Sequence, residues 1–482
     1  GNHTLSIPLT SINALILQTA DGEDRIVFGE TAGLSTITTL GGAGDDTFTL
    51  TPQTSTEFRI LGDYPSTTAD SDTLLLDVTD TTAPMLTVLG SDGLYSGAGS
   101  GRWQFGSLHR DVLFGNIEQS TVTGSHHLTF DNNVAAVPNL VVQLNQTATD
   151  VQFVDGTNVL FQTNIASILS LTINGNDAAV DETVTISDIN GLPTFALTPT
   201  VAQDSPLVSG APGIVFYGNG GTNTLAFALN AANTNQFYGI GGGTDGLADS
   251  NAEIRTVTGT LELNVYGLNL NQTVRTGGST GTLAVIAESG NDTIVINAGA
   301  LATTDIAATG YAPLNFSGNN YSGITVFGMG GADTIDLTNL GSGQSAALPI
   351  TLDGDTADDT GAATNGDASA DTLRVRATGL STGNVTLLGG DGDDIVEVGV
   401  GSTDGIFGQV VVLGEGGADS LTVNNSSSLT ADVSMVDEDS ISTETGRNAA
   451  DDVTYNGVET LSVLTSSIAD TVTVNFTPNA TV

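Results

Sequence analysis

The stretch Val385–Val398, "VTLLGGDGDDIVEV", decides how the chain is read. Two apolar runs flank a turn made of glycine and aspartate. Asp391, Asp393, Asp394 and Glu397 place four negative charges within seven positions. In the second run, Val396 and Val398 alternate with Glu397. Side chains in a strand point to opposite faces at every second residue, so this pattern predicts a strand buried on one face only.

Near-copies of both halves recur along the chain. The first half, an alternating strand that closes on glycine, returns as "FRILG" 58–62, "LTVLG" 86–90, "IVFYG" 214–218, "LNVYG" 263–267, "ITVFG" 324–328 and "VVVLG" 410–414. The second half, aspartate followed by a strand, returns as "DTFTL" 46–50, "DTLLL" 72–76, "DTIVI" 292–296, "DTIDL" 333–337, "DTLRV" 371–375 and "DSLTV" 419–423. Alternation predicts burial of Phe48, Leu50, Ile294, Ile296, Ile335, Leu337, Leu421 and Val423 alongside Val396 and Val398, with Glu397 and Thr422 exposed. The turn between the halves varies in length and is longest at 353–370. Constant strands with insertions at one corner are the pattern of stacked coils, each burying its apolar face against its neighbours. The expected fold is all-β: an elongated β-solenoid of β-helix-like stacked coils, or tandem β-modules, with Gly/Asp-rich turns. Phrases such as "FGNIEQSTVTG" 114–124 and "YNGVETLSVL" 455–464 mark larger units. They divide the chain into a repeat module at 1–130, a module poorer in acidic turns at 131–213, and a repeat array at 214–482.

Composition narrows the function. The chain has 482 residues, 54 acidic against 9 basic, a net charge of −45 and no cysteine. All the basic residues are arginine. Such a charge repels nucleic acid and anionic membrane surfaces and attracts cations. Absence of cysteine removes disulfides, thiolate metal sites and thiol catalysis. No apolar run is long enough to span a membrane, and no leader segment is evident. Hydrophobic residues make up 39% of the chain but aromatics only 5%, which suits short Val-, Leu- and Thr-rich strands joined by tight turns.

The turns carry a family resemblance. "GGAGDDTFT" 41–49 and "GGDGDDIVE" 389–397 fit the nonapeptide G-G-x-G-x-D-x-U-x of repeats-in-toxin (haemolysin-type) calcium-binding proteins. "GMGGADTID" 328–336 and "GEGGADSLT" 414–422 lack only the second glycine. "TADGEDRIV" 19–27 and "AESGNDTIV" 287–295 are partial copies, and "GNGGTNTLA" 218–226 carries Asn223 in place of the aspartate. The resemblance implies Ca²⁺ bound at these turns, with Asp46, Asp333, Asp394 and Asp419 as first-choice ligands and Asp24, Asp292 and Asp391 beside them. Family repeats run in tandem, whereas these copies stand apart. The wider pattern resembles large bacterial extracellular surface proteins with isolated turns of this type. The acid-rich loop 353–370 lacks the order of an EF-hand, since Ala357 and Asp358 break it.

Other constellations point away from an enzyme. "SHH" at 125–127 reads as an exposed turn. Trp103 and Tyr95 read as a packed corner. Arg374 and Arg376 alternate in a strand, where pairing with aspartate on a neighbouring strand is the natural role. The expected function is structural: a calcium-stabilised subunit of a surface layer, filament or adhesive stalk, extracellular, at the cell surface or in the matrix. The alternative is a carbohydrate-binding or polysaccharide-cleaving β-helix. Expected partners are copies of the chain, meeting through their ends, and cell-surface polysaccharide; nucleic acid and membrane insertion are not expected. The end segments "HTLSIPLTSINALILQ" 3–18 and "TVTVNFTPNATV" 471–482 are strand-prone and lack a polar cap.

Overall fold

A computed structural model describes residues 12–31, 33–63, 71–88, 99–132, 137–176, 180–195, 213–230, 234–239, 252–258, 261–268, 270–276, 281–287, 290–300, 303–308, 312–316, 321–344, 347–357, 363–364, 368–379, 381–429, 433–442 and 453–475. Tyr95, Asp358 and the outer parts of both end segments lie outside these residues. The protein is all-β; among the described residues the helix present is the short 3₁₀ turn Ile165–Ser167. No described helix is long and apolar enough to cross a membrane.

The chain forms two compact units. The first contains Gly1–Val201, Gly210–Ala228 and Leu261–Asn269; the second contains Ala202–Ser209, Leu229–Thr260 and Leu270–Val482. In each, successive strands fall alternately into two sheets and pair in parallel with the equivalent strand of the next coil. In the first unit, Ala14–Gln18 pairs with Thr36–Leu40 and that strand with Glu57–Leu61, while Arg25–Val27 pairs with Thr47–Leu50 and that strand with Thr73–Asp77. In the second unit, Tyr321–Phe327, Ile350–Asp353, Val385–Asp391 and Val410–Gly416 build one sheet. Thr334–Leu337, Thr372–Val375, Ile395–Val398 and Ser420–Asn424 build the other.

Register stacks like on like. Val396 lies between Leu373 and Leu421, and Val398 between Val375 and Val423. Val396, Val398, Leu421 and Val423 are buried, as are Phe48, Leu50, Ile294, Ile296, Ile335 and Leu337, as alternation predicts. Each such side chain contributes about 1.5–3 kcal/mol by leaving water. Glu397 and Thr422 are half-buried rather than exposed. Parallel neighbours flank them on both sides, and Arg374 Nε sits 3.3 Å from Glu397.

Backward-running meanders interrupt this plan and make the coil spacing irregular. In the first unit, Met85–Val88, Gly101–Gln104 and Val112–Gly115 form an antiparallel meander. Its last strand returns to Glu57–Leu61, and its first carries His126–Asp131 of the next coil. Asn139–Leu144, Asp150–Asp155 and Asn158–Asn164 repeat the device in the other sheet. In the second unit Thr293–Ala298, Thr304–Ala308 and Leu314–Phe316 do the same. So do Val433–Asp437, Ser440–Ser442 and Val453–Asn456. One hairpin had a legible signal: Asp155-Gly156 between alternating runs, with Gly156 at φ 61°.

"SHH" is not an exposed turn. His126 opens the strand His126–Asp131 and is fully buried, its ring 4.8 Å from that of Trp103. Trp103 is fully buried and stacks on Phe105, so the packed corner holds. His127 faces outward and contacts Ser170 Oγ at 2.7 Å through Nδ1.

Candidate functional site

The acidic turns lie where the chain passes from one sheet to the other. The aspartate that opens each second-sheet strand is buried, and its carboxylate reaches back one coil to a backbone N–H. In the second unit, the N–H of Asp292 donates to Asp333 Oδ1 at 2.6 Å. The N–H of Asp333 donates to Asp371 at 2.8 Å, that of Asp371 to Asp394 at 2.8 Å, and that of Asp394 to Asp419 at 2.9 Å. Glu459 takes the N–H of Asp419 at 2.7 Å. In the first unit, Asp46 accepts from Asp24 at 2.8 Å, Asp72 from Asp46 at 2.7 Å, and Glu118 from Asp72 at 2.9 Å.

The residue before the aspartate reaches the opposite way. Asp393 Oδ1 accepts the N–H of Ala418 at 2.9 Å, Asp45 that of Ser71 at 2.9 Å, and Asn291 that of Ala332 at 3.0 Å. The Asp393–Asp394 pair therefore ties its coil to both neighbours, which is why the acids come in pairs. A hydrogen bond to a charged acceptor is worth more than a neutral one, and a buried N–H left unmade costs about 1–3 kcal/mol.

This arrangement also accounts for the glycine that closes the preceding strand. The second oxygen of the aspartate lies against that glycine. A β-carbon at Gly389 would stand 2.5 Å from Asp394 Oδ2 and 2.7 Å from the carbonyl oxygen of Gly414. The next position is held left-handed whichever residue fills it: Gly42 has φ 113° and Gly390 97°, but Met329 has φ 72° and Glu415 71°. The two turns that depart from the nonapeptide keep its backbone and carry the strain that the missing glycine would remove.

Burial in a like-charged stack makes these groups weak acids. Desolvation pushes Asp394 up to about 6, helped by the charges of Asp419, Asp355 and Asp393 and opposed by the Asp371 N–H. Asp419 is raised, first by burial. Oδ2 of each is buried without a hydrogen-bond partner.

A second group of acids gathers beside this stack. Asp353 ends the strand Ile350–Asp353 and is 2% exposed. Its Oδ1 accepts the N–H of Asp355 at 3.1 Å, while Oδ2 is buried without a hydrogen-bond partner. Burial and the charges of Asp355 and Glu415 push its carboxyl up to about 7. Asp355 lies over Gly390, where a β-carbon would stand 2.8 Å from Asp355 Oδ2. Glu415 is raised by burial and by Asp355 and Asp391. Gly390 is register partner of Glu415, and Asp391 of Gly416.

Of the seven sequence-predicted ligands, Asp46, Asp333, Asp394 and Asp419 are buried acceptors in the ladders, Asp24 and Asp292 supply N–H groups to them, and Asp391 is exposed at a strand end. Asp46 joins Asp24 in the first unit; Asp292, Asp333, Asp394 and Asp419 belong to one run in the second. Among the described residues, no three acidic or histidine side chains stand close enough to enclose an ion as they are placed. Sequence reading missed Asp72, Asp371, Glu118 and Glu459 as members. The glutamates had a signal: two residues separate Gly115 from Glu118, against four between Gly389 and Asp394, so the shorter turn carries the longer side chain. Arg376 pairs with Asp336 at 2.6 Å, the expected partner type, whereas Arg374 pairs with a glutamate, Glu397.

A comparison with protein-family models returns no match, and neither does one with curated protein sequences.

Proposed function

We propose that the chain is a structural segment of an extracellular assembly: a calcium-stabilised subunit of a surface layer, filament or adhesive stalk. The observation that carries this reading is the ladder of carboxylates tying coil to coil. It spends the acidic residues of the turns on cohesion along the stack, which is what a load-bearing repeat array needs. Calcium fits the same chemistry, because oxygen-rich, anionic turns suit a hard cation and the net charge of −45 needs compensation. An extracellular site with a Kd of about 10⁻⁴–10⁻³ M, filled to ten times Kd, adds roughly 1.4 kcal/mol.

Assembly through strand edges is supported by Thr471–Asn475. All five of its residues are exposed, including Val472 and Val474. Such an edge is a template for pairing with another copy. The test is sedimentation and electron microscopy of the chain with Ca²⁺ and with excess chelator. Calcium-dependent polymers are expected; a monomer in both conditions overturns the reading.

One observation favours the carbohydrate alternative. A cavity of about 590 Å³ in the second unit is lined by Tyr455, Glu438 and Asp439 among others. Tyr455 donates its hydroxyl to the Asp437 carbonyl at 2.8 Å, leaving the ring as the apolar wall. Binding of neutral polysaccharide that is lost in Tyr455→Ala would favour this reading over the structural one.

A further inference from the structure

We propose that Asp353, Asp355, Asp391 and Glu415 form a divalent-cation site, selective for Ca²⁺, at the corner where three successive coils of the second unit meet around Gly390. The proposal rests on the calcium-stabilised reading above and names one site for it, outside the aspartates that the nonapeptide singles out.

Three observations lead there. The four carboxylates come from three consecutive coils, and glycine at 390 leaves the middle coil without a side chain, so that Asp355 lies over it. Asp353 provides the indicator of a ligand. It is 2% exposed, its Oδ2 has no hydrogen-bond partner, and it faces the charges of Asp355 and Glu415. A buried carboxylate oxygen among like charges is stable only when a proton or a cation joins it. Finally, Glu415 keeps a left-handed backbone at φ 71°, in a position where Gly42 and Gly390 stand in other turns. The strain is retained together with a carboxylate aimed at the cluster. The nearby arginines Arg374 and Arg376 are committed to Glu397 and Asp336.

Asp391 and Glu415 are exposed, so rotation of their side chains brings their oxygens onto an ion held by Asp353 and Asp355. Calcium tolerates such an irregular set of oxygens, whereas magnesium demands near-ideal octahedral geometry.

The experiment is calorimetric titration of the full chain, stripped with chelator, with CaCl₂ and separately with MgCl₂, at pH 8. Glu415→Gly and Asp353→Asn are the variants. Glu415→Gly removes a ligand while relieving backbone strain, so it folds at least as well as the parent. Both variants are expected to lose one bound Ca²⁺, or to weaken one site roughly tenfold or more, and Mg²⁺ is expected to bind far less well. Unaltered Ca²⁺ stoichiometry and affinity in both variants, against a wild type that binds, overturns this site and leaves calcium binding elsewhere. A wild type that takes up no Ca²⁺ up to about 10 mM, well above the usual extracellular range, overturns the site and the calcium reading together.

Discussion

Two buried polar regions built on the same kind of coil answer protons in opposite ways. In the first unit, His126 is sealed beside Trp103. Desolvation and the neighbouring His127 lower its pKa from 6.5 to about 3, against a small opposing contribution from the Gly124 backbone. In the second unit, the stack Asp371–Asp394–Asp419 is sealed under glycine, and desolvation raises Asp394 to about 6. Each group is held in its uncharged form, but the uncharged form of a base is reached at high pH and that of an acid at low pH. The His126 contribution is therefore present above the unfolded pKa of 6.5 and is lost as pH falls below it. The Asp394 contribution is fully present below the unfolded pKa of 3.8 and is lost as pH rises through about 6. A dry coil interior thus does not favour acid or alkali as such; it favours neutrality.

The harshest way to break this contrast is to add a carboxylate where no N–H awaits it. Val396→Asp puts a charge on the dry face between Leu373 and Leu421. It should cost roughly 3–5 kcal/mol at pH 8 and less in acid, where the group is protonated. Denaturant unfolding at both pH values measures this; equal losses would mean that the face is wet.

The histidine arm is next. His126→Phe keeps an aromatic ring against Trp103 and cannot titrate. The stability gap between variant and wild type should widen as pH falls from 6.5, reaching on the order of 3 kcal/mol at pH 4. A gap that stays flat across that interval would show His126 protonating without cost.

Asp394→Asn probes the acid arm. The amide oxygen can still take the Asp371 N–H, while the charge is gone. In chelator, the variant should match the wild type near pH 4 and exceed it by about 2 kcal/mol at pH 8. Asp394→Ala, which also abandons the N–H, should fall below the asparagine variant by about 1–3 kcal/mol at every pH. Asn223 holds the corresponding position, in register with Glu182 in the first unit, and is 1% exposed, so an amide fits such a site.

The smallest effect sharpens the role of the turn backbone. In chelator, Glu415→Gly should stabilise the protein by about 1 kcal/mol, because glycine adopts φ 71° without steric cost. Gly390→Ala, at φ 97° and with a β-carbon 2.7 Å from Asp355 Cγ, should destabilise it. Thermal melts of the two variants should shift in opposite directions.

Sequence alone determined the all-β class, the core face of the strands and the recurrence of the Gly-Asp corner. These are local matters: a period of two is written residue by residue, and a tight corner needs glycine wherever it occurs. The same reading named most of the ladder aspartates, because each opens a strand. Their partners were not legible. The N–H that Asp394 satisfies belongs to Asp371, 23 residues earlier, and the one that Glu118 satisfies belongs to Asp72, 46 residues earlier. Turn insertions and meanders vary that interval, so no fixed spacing marks the pairs. Only the stacking of coils decided that Asp393 reaches forward and Asp394 back, that Asp353 is buried among Asp355 and Glu415, and that His126 is enclosed by Trp103. The physical reason is common to all of them: burial and charge proximity are set by which coils become neighbours, and that is a property of the assembled stack, absent from any single turn.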